Sequence, residues 1–99
     1  KFYTSISDIC THPILIESAS GIWLDSFEFL WYSENELLKI IDFNLPICVV
    51  SEELHGRDHL SQWSLLSRIE QKSNFELSIC TDYPSQARDY FNVNQSSTK

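Results

Sequence analysis

Four short apolar runs, each followed by a segment of helical or turn-like composition, constrain the fold of this chain more than any other feature. The runs are FYTSIS, GIWLDSF, PICVVS and ELSICT, and they occupy residues 2–7, 21–27, 46–51 and 76–81. Strands that alternate with helices at spacings of roughly 20 to 30 residues are typical of βαβ units, whose strands are parallel. The third run is apolar on both of its faces, which predicts a central strand covered on both sides. The pattern therefore predicts an α/β fold built from four βα units with parallel strands.

The segments between these runs carry the signals of three helices. Ser33 and Glu36 have the spacing of a capping box, and apolar residues follow them at helical intervals. Asp58 is expected to cap a second helix, and Pro84 suits the first turn of a third.

Two features bear on where the domain begins and ends. The chain contains no Met and begins within its first predicted strand, so we expect it to be a piece of a longer protein. The stretch 10–18 is ambiguous, because Pro13 disfavours a helix before it and favours one after it. We expect a partial α/β domain over residues 1–92 and a flexible polar tail over residues 93–99.

Composition and charge exclude several classes of function. A chain of 99 residues with 42% hydrophobic residues can form one small domain with a packed core. Its net charge of -7 argues against binding to nucleic acid or anionic lipid. No apolar run approaches the roughly 20 residues of a membrane span. Cys10, Cys48 and Cys80 lack CxxC spacing, which favours buried, reduced thiols and a cytoplasmic protein.

Each predicted strand ends in polar residues, and parallel α/β folds carry their sites at this edge. The polar residues at the four strand ends are Ser5 and Ser7, then Asp25 and Ser26, then Ser51, Glu52, Glu53 and His55, and finally Thr81 and Asp82. Such a set suits a divalent cation or a general acid/base pair. Asp, Ser and Thr are also the usual caps and turn formers of such loops, and a cap is the favoured role for Asp82. Both interpretations stay open at this point.

Further side chains near these ends, and several absent motifs, bear on what the site could bind. Arg57 is either a cation that binds phosphate or a solvated surface charge. Trp31 either packs in the core or lines a pocket, and His55 with His59 forms a weak metal-binding pattern. Only two glycines are present, and the GxSxG and HExxH motifs are absent. A glycine-rich phosphate loop and the common nucleophile and metalloprotease motifs are therefore excluded.

Three stretches taken together carry a resemblance to a known superfamily. GIWLDSFE, ICVVSEELHGRD and LSICTDYPSQARDYF resemble the C-terminal part of bacterial TIM-barrel proteins of the phospholipase C-like phosphodiesterase superfamily. In its best-known branch, the glycerophosphodiester phosphodiesterases, the last barrel strand ends in Thr-Asp-x-Pro, and this chain has Thr81-Asp82-Tyr83-Pro84. A related group is similar at a Val-Ser-Pro-Glu-Leu-His motif, where this chain has Glu52 in place of the proline.

The resemblance implies the C-terminal half of a (β/α)8 TIM barrel and a metal-assisted hydrolysis of a phosphodiester small molecule. It implies Glu53 and His55 as catalytic residues, and Arg57, Asp25 and Trp31 as substrate-binding residues in one wall of the site. The His-Arg and Glu-x-Asp elements of the family, which belong to the first half of the barrel, are not in this chain. A divalent cation, Mg²⁺ or Ca²⁺, is implied for the complete protein, with no ligands assigned here. We therefore expect the segment to be inactive alone and to need an N-terminal half-barrel or self-association to cover its sheet edges.

Two other classes of function remain open. One is a non-enzymatic flavodoxin-like α/β module for signalling or interaction, in which the acidic strand ends bind Mg²⁺ or a partner. Receiver-type domains of this kind cluster acidic residues after the first strand, where this chain has only Asp8. The other is an acidic interaction domain without pocket chemistry.

Overall fold

The computed structural model describes residues 2–9 and 16–96, with side chains as far as Phe91. The strands are β1 (Tyr3–Ile6), β2 (Gly21–Leu24), β3 (Ile47–Val50) and β4 (Leu77–Cys80), and the helices are α1 (Glu34–Ile41), α2 (Leu60–Lys72) and α3 (Pro84–Ser96). Short 3₁₀ turns cover Ile16–Ser18 and Glu52–His55. The predicted order of four strands and three helices is confirmed, and each strand is two or three residues shorter than the apolar run that predicted it.

The four strands form one parallel sheet in the order β1-β2-β3-β4. Each strand is followed in the chain by its neighbour on the same side of the sheet, and crossovers between parallel strands are right-handed. The connecting helices therefore all lie on one face of the sheet. Ile6, Leu24 and Val49 are buried on this face, in one core cluster with Leu66 and Ile69 of α2. The α/β class with parallel strands is confirmed, and the sheet is wound in a single direction, as in one half of a β/α barrel.

The second face of the sheet is open within the described part of the chain. Trp23 is 36% exposed, Ser5 and Ser78 are exposed, and Cys48 between Trp23 and Ser78 is half-buried. The prediction that β3 is covered on both sides fails at Cys48 within the described residues, because their helices pack on the opposite face. Val50, on the same face as Cys48 at the end of the strand, is buried. The expectation of buried thiols is wrong for Cys80, which is exposed on β4.

The predicted helix starts are close to those observed. The capping box of α1 is confirmed, since the carboxylate of Glu36 accepts a hydrogen bond from Ser33 N at 2.8 Å. Asp58 Oδ1 accepts from the first amide of α2, that of Leu60, at 3.1 Å, although the residue directly before the helix is His59. Pro84 is the first residue of α3, as predicted.

The C-terminal helix is longer than its apolar residues indicate. It continues to Ser96, so the predicted boundary between domain and tail at residue 92 lies inside α3. The predictions for Cys10 and Pro13 concern residues 10–15, which lie outside the described residues, as do residues 97–99. Among the described helices, none has the length and apolar character needed to cross a membrane.

Candidate functional site

The loops after β2 and β3 meet at the carboxyl edge of the sheet and bring two predicted site residues together. His55 Nε2 lies 2.8 Å from Asp25 Oδ1, although thirty positions separate them in the chain. The side chain of Asp25 is 10% exposed and that of His55 is 24% exposed. The pair is thus largely desolvated, with the imidazole as its more accessible member.

The hydrogen bonds around Asp25 determine how the His55 ring is oriented. Asp25 Oδ1 also accepts from the amide of Ser26 at 2.8 Å, so this oxygen receives two hydrogen bonds. A carboxylate only accepts, so the bond to His55 places a proton on Nε2 and leaves the lone pair of the neutral ring on Nδ1. His55 Nδ1 has no hydrogen-bond partner in the described part of the chain. This arrangement suits a general base whose tautomer is set by its carboxylate partner.

Arg57 links the two loops beside this pair. Its Nε donates to Glu52 Oε2 at 2.6 Å, and its Nη2 donates to Glu52 Oε1 at 2.9 Å. The same guanidinium donates to the carbonyl of Phe27 at 3.2 Å and to that of Ser26. The hydrogen bonds to Glu52, together with its charge, raise the pKa of Arg57 above the usual value. Gly56, at φ 78°, provides the left-handed turn that directs the chain into Arg57.

The contacts between Arg57 and Glu52 change how both residues are interpreted. Glu52 is 3% exposed. Burial of a carboxylate charge is strongly unfavourable unless a cation pairs with it, and Arg57 is that cation. Four of the five N–H groups of Arg57 are used within the chain. The role of Arg57 in substrate binding stays a prediction, and its observed role is to hold the β2 loop against the β3 turn.

Glu53 joins the ends of β3 and β4. Its carboxylate accepts hydrogen bonds from the hydroxyls of Ser51 and Thr81 and from the amide of Asp82 at 2.9 Å. Burial acts to raise the pKa of Glu53, but these hydrogen bonds outweigh it and hold the pKa below its usual value. Glu53 is therefore ionised at neutral pH and is not a proton donor. Its predicted catalytic role remains a prediction.

Thr81 and Trp31 each use their polar group inside the protein. The Thr81 hydroxyl accepts from the amide of Tyr83 at 3.0 Å, which forms a local turn just before α3. The indole N–H of Trp31 donates to the carbonyl of Asp25 at 2.9 Å, and the ring is half-buried. Trp31 thus fixes the backbone that carries Asp25, and its predicted contact with substrate stays a prediction.

Asp8 and Gln62 are structural parts of the site that sequence reasoning missed. Asp8 accepts from the amides of Phe27 and Glu28, at 2.7 and 2.8 Å. Burial acts to raise the pKa of Asp8, and these amide bonds outweigh it, so the pKa lies below the usual value. Gln62 is fully buried on α2, where it accepts from the amide of Glu52 at 2.9 Å and donates to the Val50 carbonyl at 3.1 Å.

The sequence carried only a partial signal for these residues. A polar residue within an apolar helix face, such as Gln62 beside Trp63, indicates a buried hydrogen-bond network. Most hydrogen-bond partners of Asp8 and Gln62 are backbone groups. Because all residue types have these groups, the sequence does not indicate which of them will be bound.

The carboxylates at this edge do not form a cation site by themselves. A divalent cation takes several oxygen ligands at once, whereas here Glu52 is engaged by Arg57, Glu53 by two hydroxyls and Asp25 by His55. Within residues 2–9 and 16–96, no group of three or more His, Cys, Asp or Glu side chains is placed to hold a metal. A divalent cation remains a prediction for a complete protein.

The chain was compared with protein-family models, with curated proteins and with solved structures. No protein-family model matches the chain, and no match is found among the curated proteins or the solved structures. The fold defines an α/β protein with a parallel sheet. The resemblance to the phospholipase C-like phosphodiesterases stays a prediction that rests on the three stretches given above.

Proposed function

We propose that this chain is the C-terminal barrel segment of a metal-assisted phosphodiester hydrolase similar to the glycerophosphodiester phosphodiesterases, and that the Asp25–His55 pair is its acid/base element. The observation that carries the proposal is the 2.8 Å contact between His55 Nε2 and Asp25 Oδ1 at the carboxyl edge of a parallel sheet wound in one direction. In barrels built this way, the reacting groups lie at that edge.

The chemistry assigned to the pair is proton transfer. His55 Nδ1 takes a proton from the attacking water or hydroxyl, while Asp25 holds the proton on Nε2 and keeps the ring in place. The remaining N–H of Arg57 is directed to a phosphate oxygen. Glu53 stays ionised and positions the Thr81 and Ser51 hydroxyls along the same edge.

The segment requires a complement. A sheet with one uncovered face and two strand edges is completed by an N-terminal half-barrel or by a second copy of the chain. The divalent cation and the second acid/base group belong to that complement in this proposal, so the segment alone is inactive.

A cytoplasmic location is part of the proposal. It is supported by the two described cysteines, Cys48 and Cys80, which are both free thiols, with Cys80 exposed. Exposed free thiols persist in reducing compartments.

The single winding of the sheet argues against the flavodoxin-like alternative. A doubly wound sheet reverses its strand order at a switch point and carries helices on both faces. The described sheet has neither property, since its strands follow one another in order and one face is open.

The test is turnover of bis-(p-nitrophenyl) phosphate by the intact protein that contains this chain. We expect His55→Ala and Asp25→Asn each to reduce kcat by about 10²-fold or more, as for the loss of an acid/base group. Asp42→Asn, a matched change at an exposed position after α1, should leave turnover intact. Unchanged turnover in His55→Ala would remove the proposed role of the pair.

A further inference from the structure

Phe27 is exposed although it lies against the proposed acid/base pair. Phe27 is 48% exposed, and its ring meets that of His55 edge to face, with centroids 5.6 Å apart and an interplanar angle of 63°. The aliphatic residue three positions earlier, Leu24, is fully buried. Phe27 therefore presents an aromatic surface next to the ring that is proposed to move the proton.

The loop that carries Phe27 is held on both sides by charged side chains. Asp8 accepts from the amides of Phe27 and Glu28, at 2.7 and 2.8 Å. Arg57 donates to the carbonyls of Ser26 and Phe27, the latter at 3.2 Å. Isolated exposed apolar side chains are common on protein surfaces. Here, however, four consecutive backbone groups around Phe27 are hydrogen-bonded by side chains from two other loops, which an exposed side chain without a function does not require.

This fixation has a consequence for binding. A side chain on a mobile loop must be ordered when a ligand arrives, and that ordering weakens affinity. Phe27 sits on a backbone that is already ordered, in contact with a ring that Asp25 also holds. The two rings form a preorganised aromatic corner.

The carboxylates beside these two rings determine which kind of group the rings can bind. The Asp8 carboxylate is occupied by backbone amides and that of Asp25 by His55, so the corner offers ring faces rather than an unpaired charge. Aromatic rings pair favourably in offset or edge-to-face geometry with other flat apolar groups.

We propose that Phe27 determines substrate specificity by binding a flat apolar group, such as an aryl ring, in one arm of the phosphodiester. This inference rests on the proposed function, because it takes the phosphoryl group to lie at His55. It names a substrate class, the aryl or similarly flat esters, that the fold and the acid/base pair do not define.

The test separates ring binding from turnover. Phenyl phosphate and methyl phosphate are titrated by calorimetry into the intact protein and into Phe27→Ala, Phe27→Leu and Phe27→Tyr. We expect Phe27→Ala and Phe27→Leu to weaken phenyl phosphate binding about tenfold and to leave methyl phosphate binding unchanged, and Phe27→Tyr to restore it, because one edge-to-face ring contact is lost or kept. Phe29→Ala, a matched change on the same loop at a residue that is 58% exposed, should alter neither ligand.

Each outcome bears on one proposal. Equal binding of phenyl phosphate by the intact protein and Phe27→Ala would overturn the role of Phe27, even if His55→Ala abolishes turnover. A tenfold, ring-specific loss in Phe27→Ala combined with full turnover in His55→Ala would instead remove the acid/base assignment and keep the aromatic site. Leucine preserves most of the apolar volume, so Phe27→Leu distinguishes the ring contact from a general loss of packing.

Discussion

The guanidinium of Arg57 forms two parallel hydrogen bonds with the buried carboxylate of Glu52, at 2.6 and 2.9 Å. Planar two-point contact of this kind is specific to arginine, since the ammonium of lysine acts as a point charge. Glu52 lies two residues after the end of β3, and the same guanidinium holds the loop after β2. This pair therefore connects two strand ends through one side chain.

The first prediction concerns the stability that this pair provides. Arg57→Ala leaves the Glu52 carboxylate buried without its cation, and we expect a loss of about 3 kcal/mol in the free energy of unfolding. Arg57→Lys should recover only part of it, because an ammonium group cannot reproduce the planar two-point contact with the carboxylate. Urea denaturation measures both.

The control for this prediction is the exposed ion pair between Lys72 and Glu34, at 3.2 Å. Lys72→Ala should change stability by no more than about 0.5 kcal/mol, because solvent screens exposed pairs. Equal effects of Arg57→Ala and Lys72→Ala would contradict a structural role for Arg57.

The second prediction concerns acid stability and Glu53. Its pKa in the folded protein lies below the ordinary value of 4.5, so the carboxylate stabilises the fold at pH values above 4.5, and this contribution is lost as the pH falls through the lower, folded pKa. Glu53→Gln removes the contribution. We expect the variant to be less stable than the original chain at pH 6 and the difference to narrow as the pH falls below 4.5.

Urea titrations at several pH values measure this difference. Glu76→Gln serves as the control, because Glu76 is exposed at the opposite end of β4. A stability difference for Glu53→Gln that does not depend on pH would show that the effect comes from lost packing and not from ionisation.

The third prediction concerns the tautomer of His55. At a pH where the ring is neutral, we expect ¹⁵N NMR to find the proton on Nε2 and a bare Nδ1, because Asp25 accepts at Nε2. Asp25→Ala should allow a mixture of both tautomers. A proton found mainly on Nδ1 would rule out the base assigned here.

The fourth prediction concerns the open face of the sheet. We expect the 99-residue chain alone to self-associate through this face. Trp23→Lys should shift it toward monomer, because association would bury a charge at the centre of the face. Light scattering coupled to size-exclusion chromatography measures the mass. Lys39→Ala, at an exposed position on α1, is the control. A clean monomer that unfolds in one sharp transition would argue against an incomplete barrel.

The elements of the fold were predictable because their signals are local. The capping box of Ser33 and Glu36 and the proline at residue 84 involve only neighbours in the sequence, and each marked a helix start correctly. The uncovered second face was not predictable from PICVVS, because an apolar strand indicates that both faces avoid water and does not identify what covers each of them.

The candidate site was predictable in position and not in detail. Residues at strand ends converge in any parallel sheet, so Asp25 and His55 were expected at one edge. That Asp25 pairs with His55 while Glu53 binds hydroxyls depends on contacts across about thirty residues. The carbonyl groups that Arg57 binds are equally distant along the chain. They are backbone atoms, so the identity of the residues that carry them gives no indication of the contact.

The three side chains that connect successive strand ends also have an evolutionary consequence. Asp8 connects the loops of β1 and β2, Arg57 those of β2 and β3, and Glu53 those of β3 and β4. A lineage that altered the length of one of these loops would have to change its neighbours with it. Inherited insertions should therefore accumulate at the opposite rim, in the turns that lead from a helix into the next strand, and divergent relatives should be easiest to align through the carboxyl edge of the sheet.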